Sequence, residues 1–522
     1  MARQAAPSYN PAVSSARKRL EHIPSGWNQP DGMCPAMEAP EPAHDHDLDK
    51  FHEECALFGI YGTSDAAAHT ALGLHALQHR GQEASGIVTF DGRHFHNHRA
   101  AGLVGDIFGE QAIIAKLKGY SAIGHNRYAT TGGSSDRNIQ PIFADFDFGG
   151  LALAHNGNLT NAYLLRKELV RIGCLFQSTT DTEVINHLIA RSNYSTVVDR
   201  VIDALGRVKG AYSLLLLTNE ALLGVRDPMG VRPLVVGRLE DSWILTSESC
   251  ALDIIGARFV RDVEPGEIVI IDGNGLRSIK PFTKEKRRFC VFEHIYFARP
   301  DSRVEGIGVY DARKRIGMQL AKESPVPADV VVPVPDSGVP AAIGYAAQSG
   351  LPFELGIIRN HYVGRTFIEP ADHIRHLGVR LKHNANRAHI EGKRVILVDD
   401  SIVRATTSMK IVEMVRNAGA REVHMRIAAP PTTDPCFYGI DTPEREKLLA
   451  SRYDVPGMAK FIGVDSLAFL SIDGLYRAMG LPGRDPNNPT FCDACFTGDY
   501  PISLDDVLGV EDRQLSLLAE SA

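Results

Sequence analysis

The most constraining stretch is Arg394-Val395-Ile396-Leu397-Val398-Asp399-Asp400-Ser401-Ile402-Val403-Arg404-Ala405-Thr406-Thr407-Ser408. Val395 to Val398 is a short apolar run rich in β-branched residues, the pattern of a parallel strand buried on both faces. Two carboxylates follow at once, then hydroxyls, then a helical pattern carrying Met409, Val412, Met414 and Val415. In an open α/β sheet, ligands bind beyond the carboxyl ends of the strands. A helix start at that point offers unsatisfied backbone N–H groups to an anion. An adjacent acidic pair at the end of a buried strand is costly without a partner. Asp399 and Asp400 are therefore expected to face a ribose or a divalent metal, with Thr406, Thr407 and Ser408 at a phosphate. The plain alternative is a strand, an acidic turn and a helix cap.

Buried-strand runs alternate with helical patterns from about 291 to 470. Val330 to Val334 precedes a helix near 338 to 349, Leu355 to Ile358 follows, and Val423 to Ala428 succeeds the helix ending near Gly419. That alternation predicts a parallel α/β sheet. From about 55 to 285, short apolar runs recur instead, at Gly86 to Phe90, Leu151 to Ala154, Tyr212 to Leu217, Leu234 to Gly237, Trp243 to Thr246 and Ile268 to Ile271. Helical patterns fall near 66 to 79, 161 to 172 and 182 to 191. This reads as a strand-rich α+β domain. Residues 1–54 are rich in Ala, Pro, acidic residues and His, and are expected to be a disordered leader. Residues 471–522 form a C-terminal tail.

With a net charge of −7, the chain as a whole is not a nucleic-acid binder by charge. No run of about 18 apolar residues is present, so no membrane span is expected. The N-terminus lacks the apolar core of a secretory signal. Eight cysteines in 522 residues are no disulfide scaffold and fit a reducing cytoplasm.

The strand–acidic pair–hydroxyl stretch resembles the phosphoribosyl-diphosphate (PRPP) loop of the type I phosphoribosyltransferases. Four further blocks resemble the glutaminase domain of the N-terminal-nucleophile amidotransferases, an αββα fold. They are Leu77-Gln78-His79-Arg80-Gly81-Gln82-Glu83-Ala84-Ser85-Gly86, Gly124 to Thr130, His155-Asn156-Gly157-Asn158-Leu159, and Ser178 to Glu183. The joint pattern is similar to the glutamine PRPP amidotransferases, in the subgroup with a cleaved propeptide and an iron–sulfur cluster.

That resemblance implies a set of roles. Cys55 becomes the first residue and nucleophile after cleavage behind Glu54, its own α-amine acting as the base; such an amine has a pKa near about 8. Asn156 and Gly157 form the oxyanion hole. Arg127 clamps the glutamine carboxylate, and Asp181 holds its ammonium. Asp399, Asp400, Ser401, Thr406, Thr407, Ser408, Arg359 and Tyr362 bind PRPP. Ser337 joins Asp399 and Asp400 at Mg²⁺, which prefers oxygen ligands and bound phosphates. Cys290, Cys436, Cys492 and Cys495 hold one [4Fe–4S] cluster, with a four-cysteine zinc site as the rival. Purine nucleotides are expected as feedback inhibitors and a homotetramer as the assembly. A PRPP-binding regulator with the same fold is the competing class; the glutaminase blocks argue against it.

Each glutaminase residue also has an ordinary reading. Asn156-Gly157 makes a good hairpin turn, Thr180 to Glu183 a capping box, and Arg127 a surface residue. Several positions depart from the family. Ala56 and Ala405 stand where glycine is usual, and alanine at 405 requires a negative φ. Arg359 and His361 replace residues more often Lys and Arg. The leader is long, and initiation at Met33 or Met37 would shorten it. Residues 359 to 394 carry a local charge of +5, read as an anion-clamping lid.

Overall fold

Two sheets face each other in the first half of the computed structural model, which describes residues 52–53, 55–128, 136–360 and 383–508. The seven-stranded sheet runs Arg258–Asp262, Val235–Leu239, Ser242–Thr246, Ala56–Tyr61, Ser121–Arg127, Ala84–Phe90 and Phe95–Ala101. The six-stranded sheet runs Gly275–Ile279, Ile268–Asp272, Leu222–Arg226, Gly210–Thr218, Gly149–Leu159 and Ile142–Phe146. Between them Leu57, Val88 and Ile123 pack on Ala152, Ala154, Leu215 and Leu217. The alternate side chains Phe58 and Ile60 face outward onto Leu74 of the helix Ala66–Ala76. Leu214 and Leu216 face outward onto Val184, Ile185 and Leu188 of the helix Thr182–Arg191. Period-2 alternation with both faces covered thus gives four layers, α-β-β-α. All six expected strands of this half are present, five of them extended by a residue or more and Leu234 to Gly237 shifted to Val235–Leu239. The polar strand Phe95–Ala101 escaped the apolar pattern because only one of its edges is paired.

The second half is built on four parallel strands in the order Val330–Pro333, Arg394–Asp399, Glu422–Ile427 and Ser466–Phe469. Val395 and Leu397 pack on one face with Ile411, Val412 and Val415 of the helix Thr406–Asn417. Ile396 and Val398 pack on the other with Ala341, Ala342 and Tyr345 of the helix Val339–Ser349. Each is fully buried, which is worth roughly 1.5–3 kcal/mol per side chain. Leu355 to Ile358 is not a strand of this sheet. Ile357–Arg359 pairs antiparallel with His383–Ala385 as a separate ribbon, and a single bridge, Val331 to Phe353, links the preceding residues to the sheet. Three residues are too few to fill a layer position, and Ile358 is exposed.

The described residues form one compact unit. The core that covers one face of the parallel sheet continues through Phe289, Val291 and Phe292 to Val231 and Ala211 of the first half, and to Phe491 and Phe496 of the tail. A wholly buried charge network crosses the same junction. Arg80 pairs with Glu248, and its Nη2 lies 2.5 Å from Glu293; Arg232 lies 3.3 Å from Glu293. His79 and Ser302 also meet Glu248, at 2.7 and 2.6 Å. Among the described residues no helix is long and apolar enough to cross a membrane. The leader through 51, Glu54 and residues 509–522 lie outside the described residues, as does most of the expected lid.

Removing one partner of a buried ion pair leaves an uncompensated charge and costs roughly 3–5 kcal/mol. Glu293→Gln, which leaves Arg232 facing a neutral amide, is expected to lower unfolding stability by about 3 kcal/mol. Denaturant unfolding checks this, and an unchanged midpoint would contradict it.

Candidate active sites

The first site is assembled by strand register. Ala56 lies opposite Asn126 in antiparallel pairing, so Cys55 falls beside Arg127. The other edge of Ser121–Arg127 pairs with Ala84–Phe90, with Arg127 opposite Ala84. Gly81 lets its loop close on this strand end: a Cβ there would stand 2.8 Å from the carbonyl carbon of Asn126 and 2.9 Å from the nitrogen of Arg127. Cys55 and Arg127 are both buried, so Arg127 is no surface residue. Burial lowers the affinity of its guanidinium for a proton, while Cys55 and Glu83 oppose that; arginine keeps its charge regardless. Ala56 is fully buried.

Asn156 and Gly157 sit inside the strand Gly149–Leu159, opposite Ser213 and Tyr212. They form no hairpin turn. Asn156 is completely buried, yet among the described residues neither its amide oxygen nor its amide nitrogen has a hydrogen-bond partner. Leaving such a group unsatisfied costs roughly 1–3 kcal/mol, so the amide is free to serve a ligand without first giving up a described protein partner. Gly157 has φ +142°, and a Cβ would lie 2.0 Å from the Ala211 carbonyl oxygen, so no other residue fits. The two sheets meet here, a ring nitrogen of His125 lying 3.1 Å from the His155 carbonyl.

Asp181 precedes the helix Thr182–Arg191 and is buried. Its carboxylate accepts from the Leu159 N–H at 2.9 Å and from the hydroxyls of Thr180 and Thr182 at 3.3 Å. His155 Nδ1 lies 3.6 Å away. Burial pushes its pKa up, but His155 and the donated hydrogen bonds pull harder, and it ends below the ordinary range. It is an anion at neutral pH, favoured further by the helix dipole. The expected capping box is absent. Glu183 instead accepts from the N–H groups of Gln177 and Ser178, both at 2.8 Å, and from the Ser178 hydroxyl at 2.6 Å. This fixes the loop that leads into Asp181.

The second site lies at the carboxyl end of the parallel sheet. Asp399 ends its strand and both carboxylates are buried. The Asp400 N–H donates to Asp399 at 2.9 Å, Ser401 Oγ to Asp400 at 2.8 Å, and Ser337 Oγ to the other Asp400 oxygen. Gly338 allows the approach of the two strand ends; a Cβ there would stand 2.5 Å from the Val398 carbonyl oxygen. Thr406, Thr407 and Ser408 are the first three residues of the helix Thr406–Asn417, where backbone donors are unsatisfied by the helix itself. Arg359 pairs with Asp336, a residue the sequence reading passed over. Tyr362 lies outside the described residues. Asp399, Asp400 and Ser337 form an all-oxygen set suited to Mg²⁺ shared with a substrate phosphate.

The four cysteines converge. Phe289–Cys290 pairs in parallel with Phe491–Cys492, Cys290 opposite Cys492. The Cys495 carbonyl accepts from the N–H groups of Thr433 and Asp434, at 3.0 and 3.2 Å, just before Cys436. Burial pushes Cys290 up to about 11. Burial raises Cys492 and Cys495 well above the ordinary thiol, and the neighbouring Cys290 and Cys436 add to it. Thiols so crowded and desolvated need a positive partner to ionise. Yet among the described residues no three His, Cys, Asp or Glu side chains form a set that could hold a single metal ion. Four sulfurs about 2.3 Å from one zinc would crowd to about 3.8 Å apart. A cluster in which each thiolate binds a different iron spreads them further, and four convergent thiols supply the number it requires. Asn158, two residues beyond Asn156, donates to the Phe437 carbonyl at 3.0 Å, joining the strand of the first site to the segment of Cys436.

Residues 125–253 match a model of the glutamine amidotransferase domain and residues 310–433 one of the phosphoribosyl transferase domain. The chain is 60% identical over 482 residues to the amidophosphoribosyltransferase of Rhizobium etli, covering 91% of this chain and 97% of the relative. The chain belongs to the amidophosphoribosyltransferase family. These are glutamine-dependent enzymes of the first step of purine biosynthesis, and the chain is an enzyme of that kind. The Bacillus subtilis amidophosphoribosyltransferase is 49% identical over 454 residues, 87% of this chain and 95% of the relative. A solved structure of the B. subtilis glutamine PRPP amidotransferase, complexed with ADP and GMP, superposes with a TM-score of 0.82 at 48% identity, covering 86% of this chain and 98% of that one.

Against the amidophosphoribosyltransferase pattern, Ala405 behaves unexpectedly. It does not take a negative φ; it is left-handed, φ 68° and ψ 8°, and fully buried. That conformation costs alanine roughly 1–2 kcal/mol. Glycine would remove this cost, but would lose about 0.8 kcal/mol of methyl burial and gain unfolded-state entropy worth roughly 0.4–1 kcal/mol. Ala405→Gly is therefore expected to be neutral within about 0.5 kcal/mol. Ala418→Gly, at the same helix's other end with φ −79°, has no such relief and should cost about 1 kcal/mol. Equal losses at both positions in denaturant unfolding would contradict the strain at 405.

Proposed function

We propose that the chain forms 5-phosphoribosylamine, glutamate and diphosphate from PRPP, glutamine and water, with Cys55 exposed as the first residue by removal of 1–54. The α-amine of Cys55 takes the thiol proton, and the sulfur attacks the carboxamide carbon of glutamine. The oxyanion that forms is met by the Asn156 side-chain amide and the Gly157 N–H, worth roughly 2.7–4 kcal/mol per donor in comparable centres. Ammonia leaves, and water releases glutamate from the thioester. Arg127 pairs with the substrate α-carboxylate and Asp181 with its α-ammonium. The observation that carries this reading is Asn156, a fully buried amide with no hydrogen-bond partner among the described residues, on the strand whose His155 and Leu159 meet the buried Asp181.

Ammonia reaches the second site inside the protein, since in water it would be protonated. It displaces diphosphate from C1 of PRPP with inversion. Thr406, Thr407 and Ser408 with the helix N-terminus receive the 5-phosphate, Asp399 and Asp400 the ribose, and Ser401, Arg359 and Tyr362 complete the PRPP contacts. Ser337, Asp399 and Asp400 would hold Mg²⁺, which would supply charge neutralisation to the diphosphate. The step needs positioning and charge stabilisation, not a covalent nucleophile. Cys290, Cys436, Cys492 and Cys495 would hold a [4Fe–4S] cluster, which would staple the tail to the body. A homotetramer in the cytoplasm, inhibited by purine nucleotides, completes the reading; nucleotides bound to the B. subtilis relative support the last point.

The purified, active protein is expected to begin at Cys55 by intact mass and to carry iron and acid-labile sulfide in a four-to-four ratio. Activity in a chain still bearing residues upstream of Cys55 would overturn the nucleophile assignment, and tightly bound zinc without iron would overturn the cluster.

A further inference from the structure

The helix Ala162–Arg171 follows directly on the strand that carries Asn156 and Gly157. Its N-cap residue by position, Asn161, does not cap it. The Asn161 amide donates to the Arg207 carbonyl at 3.0 Å and accepts from the Lys209 N–H at 2.9 Å. The orphan N–H groups of the first turn are met instead by a carboxylate more than 340 residues away. Tyr163 and Leu164 donate to the two oxygens of Asp506 at 2.8 and 3.1 Å. The Asp506 N–H in turn donates to the Thr160 carbonyl at 2.8 Å, and Lys209 pairs with Asp505 at 2.9 Å.

The same helix presents Arg166 one turn further on. Its guanidinium donates to the Ser178 carbonyl at 2.9 Å and to the Thr180 carbonyl at 2.8 Å, and lies 4.0 Å from the Phe176 ring centre. Both carbonyls belong to the loop that ends at Asp181. A planar fork gripping two carbonyls fixes a backbone in a way a lysine does not.

We propose that Asp506, in the C-terminal tail, is a positioning residue for the glutamine subsite, acting through Arg166 on the loop that sets Asp181. This rests on the reading of Asp181 as the partner of the substrate α-ammonium. It gives the tail a role in glutamine binding, in addition to any cluster it carries. The cap holds the first turn, the first turn holds Arg166 in register, and Arg166 holds the Ser178–Thr180 backbone.

The test uses full-length protein as purified, with steady-state kinetics in glutamine and, separately, in ammonia. Asp506→Ala is expected to raise the glutamine KM roughly fivefold, the equivalent of one lost helix cap, with glutamine-dependent kcat and ammonia-dependent synthesis within about twofold. Asp506→Asn, which keeps acceptor capacity, should recover part of the loss. Arg166→Gln should raise the glutamine KM by roughly tenfold, and Asp506→Ala should add little in that background, since effects that share one route do not add. Asp181→Asn is the reference. If Asp181→Asn leaves the glutamine KM unchanged, the subsite reading falls and the proposal with it. If Asp181→Asn raises KM but Asp506→Ala does not, only the proposal falls. Additive effects, or equal losses in the two assays, would mean that Asp506 serves stability alone.

Discussion

The buried charges at the junction set the frame for both sites. Arg80 comes from the loop that closes on Arg127, and Glu293 from the segment just after Cys290. Their pairing, with Glu248 and Arg232, takes four charged side chains entirely out of water. Such a cluster adds little net stability compared with an apolar core, but it is intolerant of misalignment. It therefore specifies one arrangement of the glutaminase half against the chain from Cys290 onward. From Glu293 the chain enters the turn Glu293–Phe297, whose carbonyls, with that of Ala298, receive Arg313 of the helix Val309–Glu323. That helix packs on Val339–Ser349 so closely that a Cβ on Gly317 would strike the Ala341 carbonyl oxygen at 1.8 Å. The second helix begins beside Ser337, which meets Asp400. Rigid contacts thus run without a break from one centre to the other.

Much of the fold was legible in the sequence because burial leaves a periodic trace. The run Val395–Val398 read as a strand covered on both faces, and its side chains alternate between two cores. The helices near 161 and 182 carry the 3.6-residue pattern of one buried face. What failed to show had physical reasons. Leu355 to Ile358 has the composition of a sheet strand, but its partner is a short polar ribbon, and composition does not name partners. Asn156-Gly157 has the local chemistry of a turn, yet the ladder to Gly210–Thr218 overrides it. Ala405 has no sequence signal for its positive φ, because the constraint comes from the strand and helix it joins. Arg166, Asp336 and Asp506 act on residues far off in the chain, and no local pattern marks them.

The four convergent cysteines and the strand that carries Asn156 are closer in the fold than in the sequence. Asn158 bonds the carbonyl beside Cys436, and the tail after Cys495 returns to Tyr438, whose hydroxyl meets Ile502 at both its carbonyl and its N–H. The tail then reaches the helix Ala162–Arg171, which follows the strand that carries Asn156 and Gly157. Whatever secures the four thiols therefore also secures the wall of the first site.

The proposed function joins two separate chemistries in one chain through ammonia. Removing only the thiol nucleophile tests it most directly. Cys55→Ser, assayed for PRPP-dependent product formation, should lose synthesis from glutamine while retaining synthesis from added ammonia at close to the unsubstituted rate. Loss of both activities in a folded protein would contradict the two-site account.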